Sequence, residues 1–158
     1  MSRSPEDTRA IATALAQEFA PGDVVALSGD LGAGKTAFVQ GAAAALGVQE
    51  RVTSPSFVLV REYQGRLPIL HIDVYRLGNL QELVDLGYEE FLDPNWVVFI
   101  EWGDAVGPLL PPEYLQVELS ATGPDDRSIE LVPHGPGWTR RLGAVRHLLE
   151  PFAPEGSP

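Results

Sequence analysis

Apolar residues occur in short blocks along the chain, and the spacing within each block indicates a helix or a strand. Near the N-terminus, Ile11, Leu15 and Phe19 recur at helical spacing. The preceding residues 4–7 (SPED) combine an N-cap serine, a proline at the first helical position and two acidic residues, which is typical of a helix start. The pattern therefore predicts a first helix that ends at Pro21-Gly22.

Further helices and six strands follow from the same reasoning. An alanine-rich run at 36–46 predicts a helix that stops at Gly47, and the segment 142–149 predicts a closing helix. Short helical segments are also expected after Asn79 and at 87–92. Runs of β-branched and other apolar residues predict strands at 23–28, 57–63, 68–75, 96–102, 114–120 and 128–132.

Two polar, glycine-containing breaks between neighbouring strands predict hairpins, one at 64–66 (QGR) and one at 123–126 (GPDD). A hairpin pairs its strands antiparallel, whereas strands joined through a helix usually pair in parallel. The sequence therefore predicts an α/β fold with a central mixed parallel and antiparallel sheet flanked by helices. A single domain is expected over 1–150, and the proline-containing tail 151–158 is expected to be disordered.

Composition narrows the class of protein. No apolar run reaches the about 18 residues of a membrane span, and the acidic N-terminus lacks the apolar core of a secretion signal. With no cysteine in 158 residues, the chain fits a reducing, cytoplasmic location. The net charge of −11 disfavours direct, tight binding of nucleic acid, although the acidity also fits a role in solubility alone.

The segment 29–36 (GDLGAGKT) matches the phosphate-loop pattern G-x-x-x-x-G-K-[ST] in full. It lies between a predicted strand and a predicted helix, as that pattern requires. Glycines let the backbone approach a phosphate, successive N–H groups form an anion-binding nest, and the helix start adds positive potential. These features predict a P-loop NTPase-type domain in which Lys35 contacts the β- and γ-phosphates and the Thr36 hydroxyl binds Mg²⁺.

Lys35 is the one lysine among eleven basic residues, the other ten being arginines. A lysine is a compact point charge, whereas arginine is a broad planar fork that would not fit easily under a backbone loop wrapped around a phosphate. The choice of residue type therefore supports the phosphate-loop interpretation, and Lys35 is a candidate catalytic residue.

Two acidic residues at predicted strand ends are candidates for metal binding and catalysis. Asp73 lies near the end of one strand in HIDVYR, and Glu101 follows the apolar run VVFI of another. A carboxylate delivered to the edge of the sheet by a buried strand can hold Mg²⁺ or orient a water. The alternatives are a surface ion pair of Asp73 with Arg76 and an ordinary strand-end charge at Glu101. His71, two residues before Asp73, is expected on the same face as that residue.

A hydroxyl-rich loop at 53–57 (TSPSF) is a third candidate, since loops in this place often sense the γ-phosphate. Ser54 is its candidate ligand-binding hydroxyl. A plain turn into the next strand is the alternative interpretation.

These segments together resemble one family. GDLGAGKT, TSPSF, HIDVYRL, LGYEEFL and VVFIEW, in this order and over roughly residues 4 to 120, closely resemble the bacterial TsaE (YjeE-like) P-loop ATPases. That family takes part in making threonylcarbamoyladenosine (t6A) in tRNA. The resemblance implies slow hydrolysis of ATP with Mg²⁺, as an energy-coupling subunit that works with the TsaD and TsaB proteins and meets tRNA only through them.

The resemblance also implies roles for individual residues. Thr36 and Glu101 would serve Mg²⁺, Asp73 would be the second-switch carboxylate that supports hydrolysis and a further metal candidate, and 53–57 would be the first switch. The segment around Ser4 to Thr8 would approach the base. By the same resemblance the phosphates would be contacted by Leu31, Gly32, Ala33, Gly34, Lys35 and Thr36, and Gly29, the first residue of the motif, is a further candidate cofactor contact.

Two other functions stay open at this point. A small-molecule or nucleoside kinase shares the loop and the size, but the chain shows no arginine-rich lid. A nucleotide-gated binding module would hold Mg²⁺ without activating water. Ala37 stands where some family members carry a second hydroxyl, and the segment after about Thr122 is not matched to the family.

Overall fold

The computed structural model describes residues 1–29, 32–52, 60–73, 94–101 and 110–153. Three helices, a six-stranded sheet and a short 3-10 turn occupy these residues. Their bounds are α1 (Pro5–Ala16), β1 (Val24–Ser28), α2 (Lys35–Ala45), β2 (Val60–Tyr63), β3 (Ile69–Asp73), β4 (Val97–Glu101), β5 (Tyr114–Ala121), β6 (Arg127–His134), α3 (Pro136–Leu149) and the 3-10 turn Glu150–Phe152.

The sheet has the strand order β2-β3-β4-β1-β5-β6. β1 lies near the centre and pairs in parallel with both β4 and β5, and β3 pairs in parallel with β4. The two hairpins β2–β3 and β5–β6 supply the antiparallel pairs. The predicted α/β fold with a mixed sheet is therefore confirmed. Since β1, β3 and β4 run in the same direction, their carboxyl ends meet at one edge of the sheet.

The strands of the inner sheet are buried on both faces. Every residue of β1, β3 and β4 is buried, including Ser28, His71, Asp73 and Glu101 among largely apolar neighbours. This is the burial expected of parallel strands in an α/β protein, whose sequences read as continuous apolar runs. Polar side chains within such strands are costly to bury unless they are hydrogen-bonded or paired with a charge.

The first helix starts as the sequence predicts. Ser4 is the N-cap, and its side-chain oxygen accepts a hydrogen bond from the backbone N–H of Asp7 at 3.1 Å. Pro5 occupies the first turn, where its missing N–H costs nothing. The helix ends at Ala16 rather than at Pro21-Gly22, because Phe19 leaves the helical path and packs edge-to-face against Phe99 and Trp138.

The C-terminal region differs from the prediction in its extent. α3 begins at Pro136, six residues before the predicted start, and Trp138 in its first turn is buried in the core. The 3-10 turn continues from α3, and Phe152, within the predicted tail, packs partly buried against the core. The predicted helical segments after Asn79 and at 87–92, and the last five residues, lie outside the described residues.

Within the part of the chain that the structure describes, no helix has both the length and the apolar character needed to cross a membrane.

Helices α1 and α2 pack closely because of one glycine. A Cβ atom built on Gly41 would lie 2.6 Å from the Cα of Arg9 and closer still to its carbonyl oxygen. Thr13 Oγ1 also donates to the Gly41 carbonyl at 3.2 Å, so the two backbones are in direct contact. A side chain at this position would separate the helix that carries the phosphate loop from the N-terminal helix.

We predict that Gly41→Ala lowers the free energy of unfolding by about 1–3 kcal/mol, although alanine is the better helix former, since the added methyl overpacks the contact. Gly143→Ala in α3 is the matched control, because a Cβ there meets no atom within 4 Å. It should stabilise the protein by about 0.5–1 kcal/mol. Urea unfolding of both variants measures the difference, and equal effects would contradict the close-packing argument.

Candidate phosphate-binding site

The loop after β1 has the backbone conformation that its glycines permit. Gly29, Gly32 and Gly34 have φ angles of +139°, +80° and +105°. A Cβ on Gly29 would clash with the carbonyl oxygen of Leu119 in β5, whereas one on Gly32 would meet no atom within 4 Å. Gly29 is therefore required by packing against the sheet, and Gly32 leaves an open approach to the loop backbone. This open backbone fits a ligand that binds main-chain N–H groups.

The helix that follows the loop starts without a side-chain cap. Gly34 is the N-cap of α2, and it has no side chain to accept the N–H groups of the first turn. No acidic residue lies in that turn either. The positive end of the helix dipole and its N–H groups are thus left for an anion, an arrangement that suits a phosphate group.

Lys35 lies within the loop rather than at its surface. Its side chain is buried, and Nζ donates a hydrogen bond of 2.6 Å to the carbonyl oxygen of Gly29. The ammonium group is therefore held on the inside of the turn that joins β1 to α2. Thr36, the next residue, is half-buried in the first turn of α2. Both residues are located as the sequence pattern requires for a phosphate loop.

Glu101 and Asp73 reach the same edge of the sheet as the loop. Glu101 ends β4 and is the register partner of Leu27 in β1, two residues before Gly29. Asp73 ends β3 and is the register partner of Glu101. Neighbouring strands lie about 4.8 Å apart, so Glu101 is one strand and Asp73 two strands from the loop. Register partners point to the same face, so both carboxylates lie on one side of the sheet.

His71 contacts Glu101 directly. The ring Nε2 lies 2.6 Å from Glu101 Oε2, and both side chains are buried. The other ring nitrogen, Nδ1, is buried and has no hydrogen-bond partner within the described structure. Because His71 is fully enclosed, the contact holds one carboxylate oxygen of Glu101 in place. His71 and Asp73 follow the alternation of β3, as the spacing of two predicted.

The donor set fits a magnesium ion shared with a phosphate rather than one enclosed by protein. Among the described residues, no group of three or more His, Cys, Asp or Glu side chains is arranged to hold a metal ion by itself. Mg²⁺ in phosphoryl-transfer sites is commonly bound by one or two carboxylates, waters and phosphate oxygens. Glu101 and Asp73 meet that requirement as carboxylates, and the Thr36 hydroxyl is a further candidate oxygen ligand. Thr36 lies in the helix that follows the loop, and Glu101 lies on the strand paired with β1.

A cavity of about 110 Å³ opens beside the loop. That volume is several times the ~10–15 Å³ that one water needs, so it admits a larger group. It joins the N-terminus of α1, the phosphate loop and the β5–β6 turn, and its lining residues are Pro5, Thr8, Gly32, Gly34, Ala37, Asp125 and Arg127. The segment predicted to approach a base is therefore next to the loop.

The two N-terminal candidates have different positions. Thr8 is buried, lines the cavity, and its hydroxyl lies 2.8 Å from that of Ser2. Ser4 does not line the cavity, since its side chain caps α1. Pro5 and Thr8 thus line the cavity beside the loop, and an approach of the segment 4–8 to a base stays a prediction. Leu31 and Ser54, also predicted as ligand contacts, lie outside the described residues.

Two residues beside the loop were missed by the sequence reasoning. Asp125 and Arg127 belong to the β5–β6 hairpin, and Arg127 Nη2 donates to the carbonyl oxygen of Gly32 at 3.1 Å. The sequence identified the hairpin but contained no signal for its neighbour, because 95 positions separate Arg127 from Gly32. The parallel pairing of β1 with β5 brings the two together.

Fold and loop together define the class: an α/β protein with a phosphate-loop sequence between its first strand and second helix. Comparison with known proteins identifies the family within this class. Residues 2–129 match the family model of the threonylcarbamoyl adenosine biosynthesis protein TsaE. The chain belongs to the TsaE family. The match extends past Thr122 and so includes Arg127.

Individual relatives agree with this assignment. The tRNA threonylcarbamoyladenosine biosynthesis protein TsaE of Bacillus subtilis is 43% identical over 133 residues, which cover 84% of this chain and 83% of that protein. The protein of the same name from Treponema pallidum is 42% identical over 129 residues, which cover 82% of this chain and 96% of that protein. The crystal structure of Bacillus subtilis YdiB superposes with a TM-score of 0.77 at 38% identity, covering 91% of this chain and 90% of that one.

We predict that His71→Phe lowers the free energy of unfolding by about 1–3 kcal/mol, because it removes the hydrogen bond that His71 makes to the buried Glu101 carboxylate. The double variant His71→Phe/Glu101→Leu should lose less than the single one, since no charged group is left unpaired. Urea unfolding measures both. A double variant at least as unstable as the single variant would contradict the explanation that the unpaired carboxylate causes the loss.

Proposed function

We propose that this chain is a Mg²⁺-dependent ATPase with weak hydrolysis on its own, and that it is the accessory, energy-coupling subunit of the machinery that makes t6A in tRNA. The family and the relatives' names support the pathway. The chemistry is inferred from the site. One observation carries it: the buried Lys35 inside an open, glycine-lined loop, with Glu101 at the end of a neighbouring parallel strand.

The loop residues are suited to bind the phosphates of ATP. The backbone N–H groups of the loop and of the first turn of α2 would donate hydrogen bonds to the phosphate oxygens. Lys35 Nζ would exchange its hydrogen bond to the Gly29 carbonyl for contacts with β- and γ-phosphate oxygens. Pro5 and Thr8 would form a wall of the cavity that takes the nucleoside end. Ser54 would belong to the segment that senses the γ-phosphate.

The carboxylates are suited to the metal and to the attacking water. Thr36 and Glu101 would hold Mg²⁺, which when bound neutralises charge on the phosphate oxygens. His71 would keep Glu101 oriented through its 2.6 Å contact. Asp73, one strand further away, would orient the attacking water and is a further candidate for holding the metal. Lys35, Asp73 and Glu101 are thus the proposed catalytic residues.

Partner proteins are part of the proposal. A chain with net charge −11 is repelled by the tRNA backbone, so contact with tRNA would be made by TsaD and TsaB while this chain binds those proteins in the cytoplasm. A site completed by partners hydrolyses slowly alone, because some groups that stabilise the transition state are supplied on binding.

Two alternatives make different predictions. A small-molecule or nucleoside kinase would transfer the γ-phosphate to an alcohol acceptor in a substrate screen. A nucleotide-gated binding module would bind ATP without hydrolysing it, even with partners present. The burial of two carboxylates at the ends of neighbouring parallel strands favours hydrolysis over a binding-only module, since such a module needs the metal contact but no second acid.

We predict that Lys35→Arg weakens ATP binding nearly as much as Lys35→Ala, by about tenfold or more, although it keeps the charge. The ammonium group occupies a buried position inside the loop, where a planar fork does not fit. Isothermal titration calorimetry with ATP in the presence of Mg²⁺ measures the affinity of each variant, and thermal unfolding verifies that each variant is folded. Normal binding by Lys35→Arg would show that the lone lysine is not a requirement of the site.

We further predict that TsaD and TsaB stimulate ATP hydrolysis by the wild-type chain, and that Asp73→Asn binds ATP normally but loses most of the stimulated turnover, by about 10²-fold or more. Phosphate release is measured with and without the two partners. Absence of stimulation, or full turnover by Asp73→Asn, would contradict the proposed role. Phosphate transfer to an alcohol instead of water would favour the kinase.

A further inference from the structure

Arg127 connects three segments that surround the cavity beside the phosphate loop. It is the first residue of β6 and lines that cavity. Its backbone N–H donates to the Ser2 carbonyl at 2.7 Å, and its own carbonyl accepts from Ser2 N–H at 2.9 Å. This isolated antiparallel bridge ties the N-terminus to the hairpin. Because Ser2 also bonds to Thr8, the wall of the cavity formed by α1 depends on the same junction.

The guanidinium group of Arg127 donates hydrogen bonds to backbone carbonyls of two segments, the β5–β6 turn and the phosphate loop. Nη1 donates to Asp126 at 2.8 Å and to Gly123 at 3.1 Å, which closes the β5–β6 turn. Nη2 donates to Gly32 in the phosphate loop at 3.1 Å. A planar fork with fixed donor directions can bridge two separate backbone segments in this way. The hydrogen bonds to the turn therefore fix the direction in which Nη2 donates to the loop.

Gly32 is a position that needs such support. It is exposed, it has a φ angle of +80°, and no atom would lie within 4 Å of a Cβ placed on it. A glycine without packing neighbours has wide backbone freedom, and that freedom must be lost when the loop closes on an anion. Ala33, the next residue, is almost fully buried, so the peptide between Gly32 and Ala33 is fixed on one side by packing.

Arg127 holds the carbonyl group of the Gly32–Ala33 peptide. A trans peptide is planar, with its C=O and N–H pointing in opposite directions. The structure has no cis peptide within its described residues. When the Gly32 carbonyl is held by Arg127, the N–H of Ala33 is directed away from the guanidinium. That N–H is one of the donors of the proposed phosphate nest.

We propose that Arg127 is a positioning residue that orders the phosphate loop before ligand binding. It acts through the Gly32–Ala33 peptide and not by contact with the nucleoside. The inference rests on the proposed binding of a nucleoside triphosphate. It assigns the β5–β6 hairpin a part in nucleotide affinity, since ordering a loop in advance reduces the entropy lost on binding.

The test compares two ligands that share the phosphates but not the nucleoside: Mg²⁺-ATP and Mg²⁺-tripolyphosphate. Arg127→Gln should weaken both by a similar factor, about tenfold, as expected for loss of a charged hydrogen bond. KM for ATP should rise while kcat at saturation changes little. Arg127→Lys should recover only part of the affinity, because an ammonium group cannot bridge the turn and the loop. Arg140→Gln, an exposed arginine on α3, is the control and should leave both affinities unchanged.

A second measurement does not depend on binding. Hydrogen exchange of the Ala33 amide in the ligand-free protein should be faster in Arg127→Lys than in wild type, while thermal unfolding verifies that the variant is folded. Wild-type exchange in that variant would overturn the proposal. A loss of affinity confined to ATP would also overturn it, since Arg127 would then act on the nucleoside. If the wild-type chain bound neither ligand, the proposed function would fail, and the exchange rates would still decide whether Arg127 orders the loop.

Discussion

The parallel pairing of β1 with β4 is the constraint on which the site depends. It sets Leu27 beside Glu101, so that the chain leaving β1 turns into the phosphate loop next to a carboxylate. The same direction in β3 brings Asp73 to that edge. This register keeps both carboxylates on one face, because a shift by one residue would turn the side chains of a strand to the opposite face of the sheet. The geometry of the site therefore depends on the register of the inner strands.

Glycines at two places shape the candidate site at this sheet. Gly41 lets α1 approach α2 closely, which brings Pro5 and Thr8 to the side of the loop. Gly29 lets the loop pass directly over Leu119 of β5. In both cases the absent side chain determines how near two backbones lie. The cavity beside the loop is a product of these close approaches together with the β5–β6 turn.

Much of the fold was predictable from local pattern. The N-cap Ser4, the start of α2 and the hairpin at 123–126 depend on neighbouring residues, and the structure has all three. The end of α1 was predicted too late, because Phe19 fits a helical period but is drawn out of the helix by aromatic packing with Phe99 and Trp138. The start of α3 was missed for a related reason: Trp138 contributes core packing, which the weak local pattern before residue 142 does not indicate.

By itself, the sequence determined the class of the site: the residue types of GDLGAGKT, the apolar strands that end in Asp73 and Glu101, and a motif order that identified the family. These depend on short spacings, which chemistry constrains directly. Only the tertiary structure decided that His71 holds Glu101 and that Arg127 reaches Gly32. The first contact joins residues that are 30 positions apart in the sequence, and the second joins residues that are 95 positions apart. Both pairs are brought together by the order of the strands, which depends on the packing of the whole sheet.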